Sequence, residues 1–525
     1  MQGIWHWLDR RDLITPRRLS VVDGDRRLTY RDLAARVRGL AAGLRRRGIG
    51  RGDRVAVLSF NRVEVLEVLF ALARLGAIMV PLNWRLTPPE LAVQLADSTP
   101  ALMIADPEHR DLAGAACAEA RLSAPLVLVG DEYEEAVHTP PGSDAPGSDA
   151  EGAFDDPLII MYTSGTTGRP KGAVLAQGTQ LWNSINIGTA IGLTYRDVTL
   201  TVLPMFHIGG LGLYALPTLH VGGRLIIQRT FDPEETCRLL RGEGVTAMFG
   251  VPAIYQALLQ TPTFQQGNYR GVRFGVGGAP CPLPVIEEFE QRGLLLQQGF
   301  GLTETAPTAT MLPPEDAFRK KGSVGPPTLH VEARVMDDAG CDLPSGEIGE
   351  ICLRGPNLFS GYWGLPEATA EVFSPPERPG DPAAAGTGAA AGDFRGWWFH
   401  TGDLGYADDE GFLYVADRKK DMIISGGENI YPAEVEQALY QHPAVLDAAV
   451  IGIPDARWGE APMALVVLRP EAHVEPEEII AVCQGRLARY KIPKRVAFVE
   501  ALPRNAAGKV LKRVLRETYG KAVEG

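Results

Sequence analysis

Helix-like and strand-like segments alternate from the start of the chain. "TYRDLAARVRGLAAGLRRRG" (29–48) spaces its apolar residues at helical intervals and stops on glycine. "DRVAVLSF" (53–60) reads as a buried strand, "VEVLEVLFALARLG" (63–76) as a helix and "AIMVPLN" (77–83) as a strand. Strands separated by helices pair in parallel, so the chain is expected to form layered α/β structure. At 525 residues it exceeds what one hydrophobic core supports, and several domains are expected.

The pattern then changes twice. Short strands and turns dominate from 326 to 417 ("HVEARVMDDAG", "GEIGEICLRG", "GFLYVADR"), and suggest a small β subdomain. The last hundred or so residues mix helices ("PAEVEQALYQHP") with strands ("AVLDAAVIGIP", "APMALVVLR"), as a small α+β domain would. The expected organisation is a large domain over 1–418, with α/β subdomains at about 1–155 and 156–325 and the β subdomain at about 326–417, then a small mobile domain over 419–525. "HTPPGSDAPGSDAEG" (138–152) reads as a surface connection. "SPPERPGDPAAAGTGAAAGDFRG" (374–396) reads as a surface insertion without apolar anchors.

A net charge of −12 disfavours nucleic acid as a partner. The six cysteines lack C-x-x-C spacing and suit neither a disulfide framework nor a zinc site. No apolar run reaches the ~18 residues of a membrane span, and the N-terminus lacks a signal-peptide pattern, which points to a cytoplasmic protein.

"PLIIMY" (157–162) runs straight into the loop of "YTSGTTGRPKG" (162–172). Such a loop offers hydroxyls, backbone N–H groups and Lys171 to phosphate oxygens. It is not a Walker A loop: Pro170 stands where the second glycine belongs and Gly172 where the metal-binding Ser/Thr belongs.

The loop resembles the signature of the adenylate-forming superfamily of acyl- and aryl-CoA synthetases, luciferases and peptide-synthetase adenylation domains. "LPMFHIGG" (203–210), "VGGAPCP" (276–282), "QGFGLTET" (298–305), "FHTGDLG" (399–405), "DRKKDMIISGGENIYPAEVE" (417–436) and "PRNAAGK" (503–509) follow in that family's order. The resemblance implies ATP and CoA as substrates, Mg²⁺ as cofactor, and a role for each matching residue. Thr163, Ser164, Gly165, Thr166, Thr167, Gly168 and Lys171 would hold the β- and γ-phosphates. Thr303 would contact the α-phosphate and Glu304 would bind Mg²⁺. Asp403 and Arg418 would take the ribose hydroxyls. Gly278, Ala279 and Pro280, with Gln298, Gly299, Phe300 and Gly301, would line the adenine. Lys509 would bridge substrate carboxylate and phosphate. Lys420 would be the hinge between the domains, and Ser425, Gly426, Gly427 and Glu428 would line a tunnel for pantetheine. A carboxylate is already ionised at neutral pH, so its attack on phosphorus calls for charge neutralisation and alignment rather than a general base.

Within the superfamily, His207 stands where amino-acid-activating domains carry an aspartate for the substrate ammonium, and no carrier-domain motif follows Lys509. Both point to the CoA-ligase branch, where His207 would gate the acyl pocket. The other matching pocket positions are Gly209, Leu213, Val251, Ala279, Gly299 and Met311, none of them basic. The expected substrate is a monocarboxylic acid, a medium- or long-chain fatty acid first and an aryl acid of the coumarate or benzoate type second. A non-catalytic nucleotide-binding relative is the contrasting reading, and a homodimer is compatible with either.

Overall fold

The computed structural model describes residues 2–140, 151–163, 170–375, 394–455, 457–505 and 508–520. Ser164, Gly165, Thr166, Thr167 and Gly168 of the phosphate loop, residues 141–150 of the connection and 376–393 of the insertion lie outside them.

The expected alternation is present. Helix Tyr30–Arg46 opens on a reciprocal cap: Asp32 N donates to Thr29 Oγ1 (3.2 Å) and Thr29 N to Asp32 Oδ2 (2.9 Å). Helix Val63–Leu75 is buried along nearly its whole length and stops at Gly76, whose φ of 66° suits glycine. Strand Arg54–Leu58 pairs in parallel with Ile78–Leu82 on one side and Leu102–Ala105 on the other.

Two large sheets result. The seven-stranded sheet runs in the order Gly361–Tyr362, Lys171–Ala176, Pro157–Thr163, Ile78–Leu82, Arg54–Leu58, Leu102–Ala105, Leu126–Leu128. The eight-stranded sheet runs Thr310–Met311, Leu296–Phe300, Arg273–Val276, Ala247–Gly250, Val198–Thr201, Arg224–Ile227, Leu19–Asp23, Arg26–Thr29. A boundary near residue 155 therefore does not separate them. The first sheet takes its strands Pro157–Thr163 and Lys171–Ala176 from beyond it, and the second recruits Leu19–Asp23 beside Arg224–Ile227. Buried strands seek apolar faces wherever the chain offers them, whatever their distance in sequence.

A five-stranded sheet follows, in the order Glu332–Met336, Gly349–Arg354, Trp398–Ala407, Phe373–Ser374, with Leu413–Arg418 also paired to Trp398–Ala407. The described end of the insertion at Phe394 is anchored after all. Phe394 stacks on Phe373 with centroids 4.8 Å apart and meets Trp397 edge-on at 5.4 Å. The insertion's composition is dominated by Ala, Gly and Pro, which hides the aromatics at its end that find an apolar platform.

The last sheet is built on the antiparallel pair Val445–Asp455 and Gly459–Leu468, with Arg495–Phe498 and the hairpin Ile423–Ser425/Glu428–Ile430 added. Helix Pro432–Leu439 docks this domain on the large one. Leu283 N donates to Gln437 Oε1 (3.2 Å) and Gln437 Nε2 donates to Cys281 O (3.2 Å).

Candidate active site

Parallel sheets expose their functional loops at the carboxyl ends of the strands. Several such ends converge here on one cleft of about 2020 Å³ between the large and small domains. Val251 follows strand Ala247–Gly250, Gly278 to Pro280 follow Arg273–Val276, and His207 follows Val198–Thr201. Gln298, Gly299, Phe300 and Gly301 line the same cleft from strand Leu296–Phe300 and its end.

Thr303 and Glu304 form one tight turn, Thr303–Thr305, closed by Ala306 at a φ of 64°. Both side chains are buried at the cleft wall. Glu304 Oε1 accepts a hydrogen bond from Tyr362 Oη (2.9 Å), and burial raises the carboxyl pKa against the pull of Tyr362 and Arg418. The Tyr362 ring also carries Lys171, whose Nζ lies 4.9 Å from its centroid. Tyr362 thus touches both the turn and Lys171, the first residue of strand Lys171–Ala176. Thr163 and Lys171 are register partners at the ends of two antiparallel strands, so they bracket the loop between them.

Asp403 and Arg418 are likewise register partners, on strands Trp398–Ala407 and Leu413–Arg418, and form an ion pair at 3.2 Å. Burial raises the Asp403 pKa, opposed by Lys509 and then Arg418. Lys509 enters from the small domain. Its loop is held by Lys509 N donating to Asn505 Oδ1 (2.9 Å) and Asn505 N donating to Lys509 O (2.8 Å). Burial in the cleft, reinforced by Arg418, lowers the Lys509 ammonium to about 8, although Asp403 favours its charge.

His207 begins the helix Ile208–Gly212, where its Nδ1 accepts from Gly209 N (3.1 Å). Burial lowers its pKa to about 4, so the ring is neutral at pH 7. Gly209, Leu213, Val251, Ala279, Gly299 and Met311 all line the cleft beside it. Gly299 faces Met311 across a strand pair, and a Cβ at 299 would lie 3.0 Å from Met311 Cε.

Lys420 lies on the cleft, in an exposed turn between the last strand of the β subdomain and the first of the small domain. Ser425, Gly426, Gly427 and Glu428 do not line the cleft; they form a two-residue hairpin whose glycines have φ of 63° and 90°. A Cβ on Gly426 would meet the Trp458 ring at 2.6 Å, so only glycine packs there.

Among the described residues no cluster of three or more His, Cys, Asp or Glu could hold a metal alone. The Glu304 carboxylate makes no ion pair among the described residues, and a hard oxygen donor of this kind suits Mg²⁺. That ion commonly needs only one or two carboxylates when phosphates complete its shell. Tyr362, which joins Glu304 to Lys171, carried no sequence signal: its strand is two residues long and has no readable period.

A family model described as an AMP-binding enzyme matches residues 8–363, and one described as the AMP-binding enzyme C-terminal domain matches 434–509. A feruloyl-CoA synthase from Amycolatopsis sp is 41% identical over 520 residues, covering 99% of each chain. A long-chain-fatty-acid–CoA ligase from Mycobacterium tuberculosis H37Rv is 38% identical over 528 residues, covering 100% of both. The solved O-succinylbenzoate CoA synthetase from Bacillus subtilis, in complex with ATP and magnesium ion, superposes with a TM-score of 0.83 at 32% identity, covering 97% of this chain and 99% of that one. No helix among the described residues is long and apolar enough to cross a membrane. The chain belongs to the AMP-binding enzyme family and is an acid–thiol ligase of its acyl- and aryl-CoA branch.

Proposed function

We propose that this ligase activates a hydrophobic monocarboxylic acid, an aryl acid first, by adenylation and then passes the acyl group to CoA. The observation that carries the monocarboxylate reading is the neutral, apolar end of the cleft. His207, Leu213, Phe249, Val251, Val276 and Met311 meet there, and burial keeps the one titratable group among them uncharged. None of these six side chains is a cation that could neutralise a second carboxylate, whose burial beside them would carry a large desolvation penalty. Gly209, Gly277 and Gly299 line the cleft beside Phe249 and Met311, and the 41% identity to a feruloyl-CoA synthase supports an aryl body. A fatty chain is the second reading, supported by the 38% identity to a long-chain ligase.

In the first step a carboxylate oxygen attacks the α-phosphorus and pyrophosphate leaves. Lys509 and Thr303 stabilise charge at the reacting carboxylate and phosphate, and Lys171 with the adjoining loop grips the departing pyrophosphate. Glu304 would hold Mg²⁺, which when bound neutralises phosphate charge. Asp403 and Arg418 orient the ribose, and the glycine-rich segments at 278–280 and 298–301 receive the adenine. In the second step the CoA sulfur attacks the acyl carbon and AMP leaves. The Gly426–Gly427 hairpin lies away from the cleft, so its proposed place along the pantetheine arm requires the small domain to turn about Lys420.

The test is AMP and thioester formation with ATP, CoA and a panel of acids: ferulate, coumarate, benzoate, indoleacetate, saturated acids from C2 to C18, and succinylbenzoate. Highest kcat/KM is expected for a hydroxycinnamate or a related aryl acid. A dicarboxylate as best substrate overturns the pocket reading.

A further inference from the structure

We propose that Asn183 is a positioning residue that couples the acyl gate to the nucleotide loop, so that filling one site tightens the other. The inference rests on the acid and nucleotide sites proposed above. Asn183 is 1% exposed and sits on helix Gln177–Ala190. That helix is fixed at its start by Gln177, which accepts from Ile4 N and donates to Ala73 O, both at 2.8 Å. From this fixed element one side-chain amide reaches two segments of the cleft. Its Nδ2 donates to Gly212 O (2.7 Å), the last residue of the short helix that begins after His207. Its Oδ1 accepts from Thr308 N (3.2 Å), four residues beyond Glu304.

The two segments also touch directly. A Cβ on Gly212 would lie 2.6 Å from Ala306 O and 2.7 Å from Pro307 Cδ. A shift of either along the contact would move the other or break a buried hydrogen bond of the Asn183 amide. On its far side the loop is held by Asn357, whose Nδ2 donates to Thr305 O (2.8 Å) and Thr308 O (2.7 Å). The two asparagines differ in reach. Asn357 binds the nucleotide loop alone, whereas Asn183 spans that loop and the acyl gate. An acid that seats the helix after His207 therefore draws Thr308, and with it the turn bearing Thr303 and Glu304, into one arrangement. Ordering by the first ligand spares the second that loss of freedom, which is positive coupling. Spatial intermediacy alone does not establish coupling, so the test measures the coupling itself.

The experiment uses the full chain, the acid that gives thioester in the panel above, and α,β-methylene-ATP as the uncleavable nucleotide, with binding read by calorimetry. Turnover with that acid is established beforehand, so a failed substrate reading is seen separately. In the wild type, saturating acid should tighten the analogue about tenfold, within the usual range of coupling between sites. Asn183→Ser is too short to span both partners, and the ratio should fall below about twofold while each ligand alone binds within about threefold of wild type. Asn183→Asp keeps the acceptor for Thr308 but loses the donor to Gly212, and should lose the coupling likewise. Asn357→Ser should weaken the analogue alone and leave the ratio unchanged. A wild type without coupling, which needs no variant to fold, overturns the proposal. So does a ratio retained in either Asn183 variant, or one lost equally in Asn357→Ser.

Discussion

Gly508 of the small domain rests against Val251 of the large one: a Cβ at 508 would lie 2.8 Å from Val251 Cγ2, at a backbone φ of 77°. This contact seats the loop that carries Lys509 directly on the proposed acyl wall. The turn of the small domain about Lys420 proposed above would break it.

Gly508→Val should therefore act unequally on the two half-reactions. Left-handed strain for a β-branched residue costs about 1–3 kcal/mol in any arrangement. The overlap with Val251 adds to it only here. Pyrophosphate release from acid and ATP is expected to fall roughly 10–100-fold, the rate equivalent of about 1.4–2.7 kcal/mol. Thioester formation from preformed acyl-adenylate and CoA should stay within about threefold. Equal loss in both steps would mean that the loop does not move away from Val251.

The role proposed for Lys509 implies a pH limit. Its folded pKa is lowered to about 8, first by burial and then by Arg418, and in the proposed adenylation step the charged form is the one that would neutralise developing negative charge. Adenylation kcat/KM should thus be flat well below pH 8 and decline as pH rises through about 8, as the ammonium loses its proton. Lys509→Arg, which stays protonated, should remove that limb whatever its absolute rate. Lys509→Ala should lower adenylation by about 10²–10³ and spare thioester formation from preformed adenylate. A basic limb that persists in Lys509→Arg assigns it to another group.

Sequence periodicity located the helices and central strands because burial writes itself into local spacing. Val63–Leu75 and Ile78–Leu82 are examples. What spacing does not encode is which strands meet. Leu19–Asp23 lies beside Arg224–Ile227 across two hundred residues, and Gly361–Tyr362 closes the sheet that begins the phosphate loop. The motif residues brought to the cleft stand in strings whose order was readable. Tyr362, Asn183 and Asn357 act through single side chains with distant backbone or carboxylate partners, and nothing local marks them. The side of the small domain that faces the cleft was equally illegible, since the motifs that carry Lys509 and Gly426–Gly427 both belong to that domain and no local pattern says which of them meets the cleft.

The stack of Phe394 on Phe373 sets where the insertion can be cut. Replacing residues 377–392 with a Gly-Ser-Gly linker keeps Ser374, which shares a hydrogen bond with His400 Nε2 (2.8 Å), and keeps the Phe373–Phe394 stack. Loop closure depends only weakly on length, so turnover should stay within about twofold. Phe394→Ala in the uncut chain should instead lower the unfolding free energy by roughly 2 kcal/mol of lost ring burial, seen as a lower denaturant midpoint at unchanged m. A large fall in kcat on cutting would show that the segment takes part in the reaction.

Lys420 offers the most direct test of the hinge. A proline fixes φ near −65°, and by that alone a Lys420→Pro substitution should hold the present arrangement. The turn argues otherwise. Asp421 N and Met422 N both donate to Arg418 O, at 2.9 and 3.1 Å, and neither Lys419 nor Lys420 has positive φ. Lys420 is therefore the third residue of a helical-type turn. Proline there forces the residue before it out of the helical region. The Lys420 N–H makes no hydrogen bond among the described residues, so no bond is lost; the conflict falls on Lys419. Lys419 N also donates to Gly402 O (2.9 Å), next to Asp403, which ties the turn to the proposed ribose site. Lys420→Pro should consequently disfavour the arrangement that presents Lys509, slowing adenylation by about tenfold or more, the equivalent of about 1.4 kcal/mol. Thioester formation from preformed adenylate should fall less than threefold. Lys420→Ala, which keeps the turn, should leave both steps within about threefold. Selective loss of thioester formation in the proline variant would mean that the lock outweighs the turn. Equal loss in both steps would remove Lys420 as the hinge.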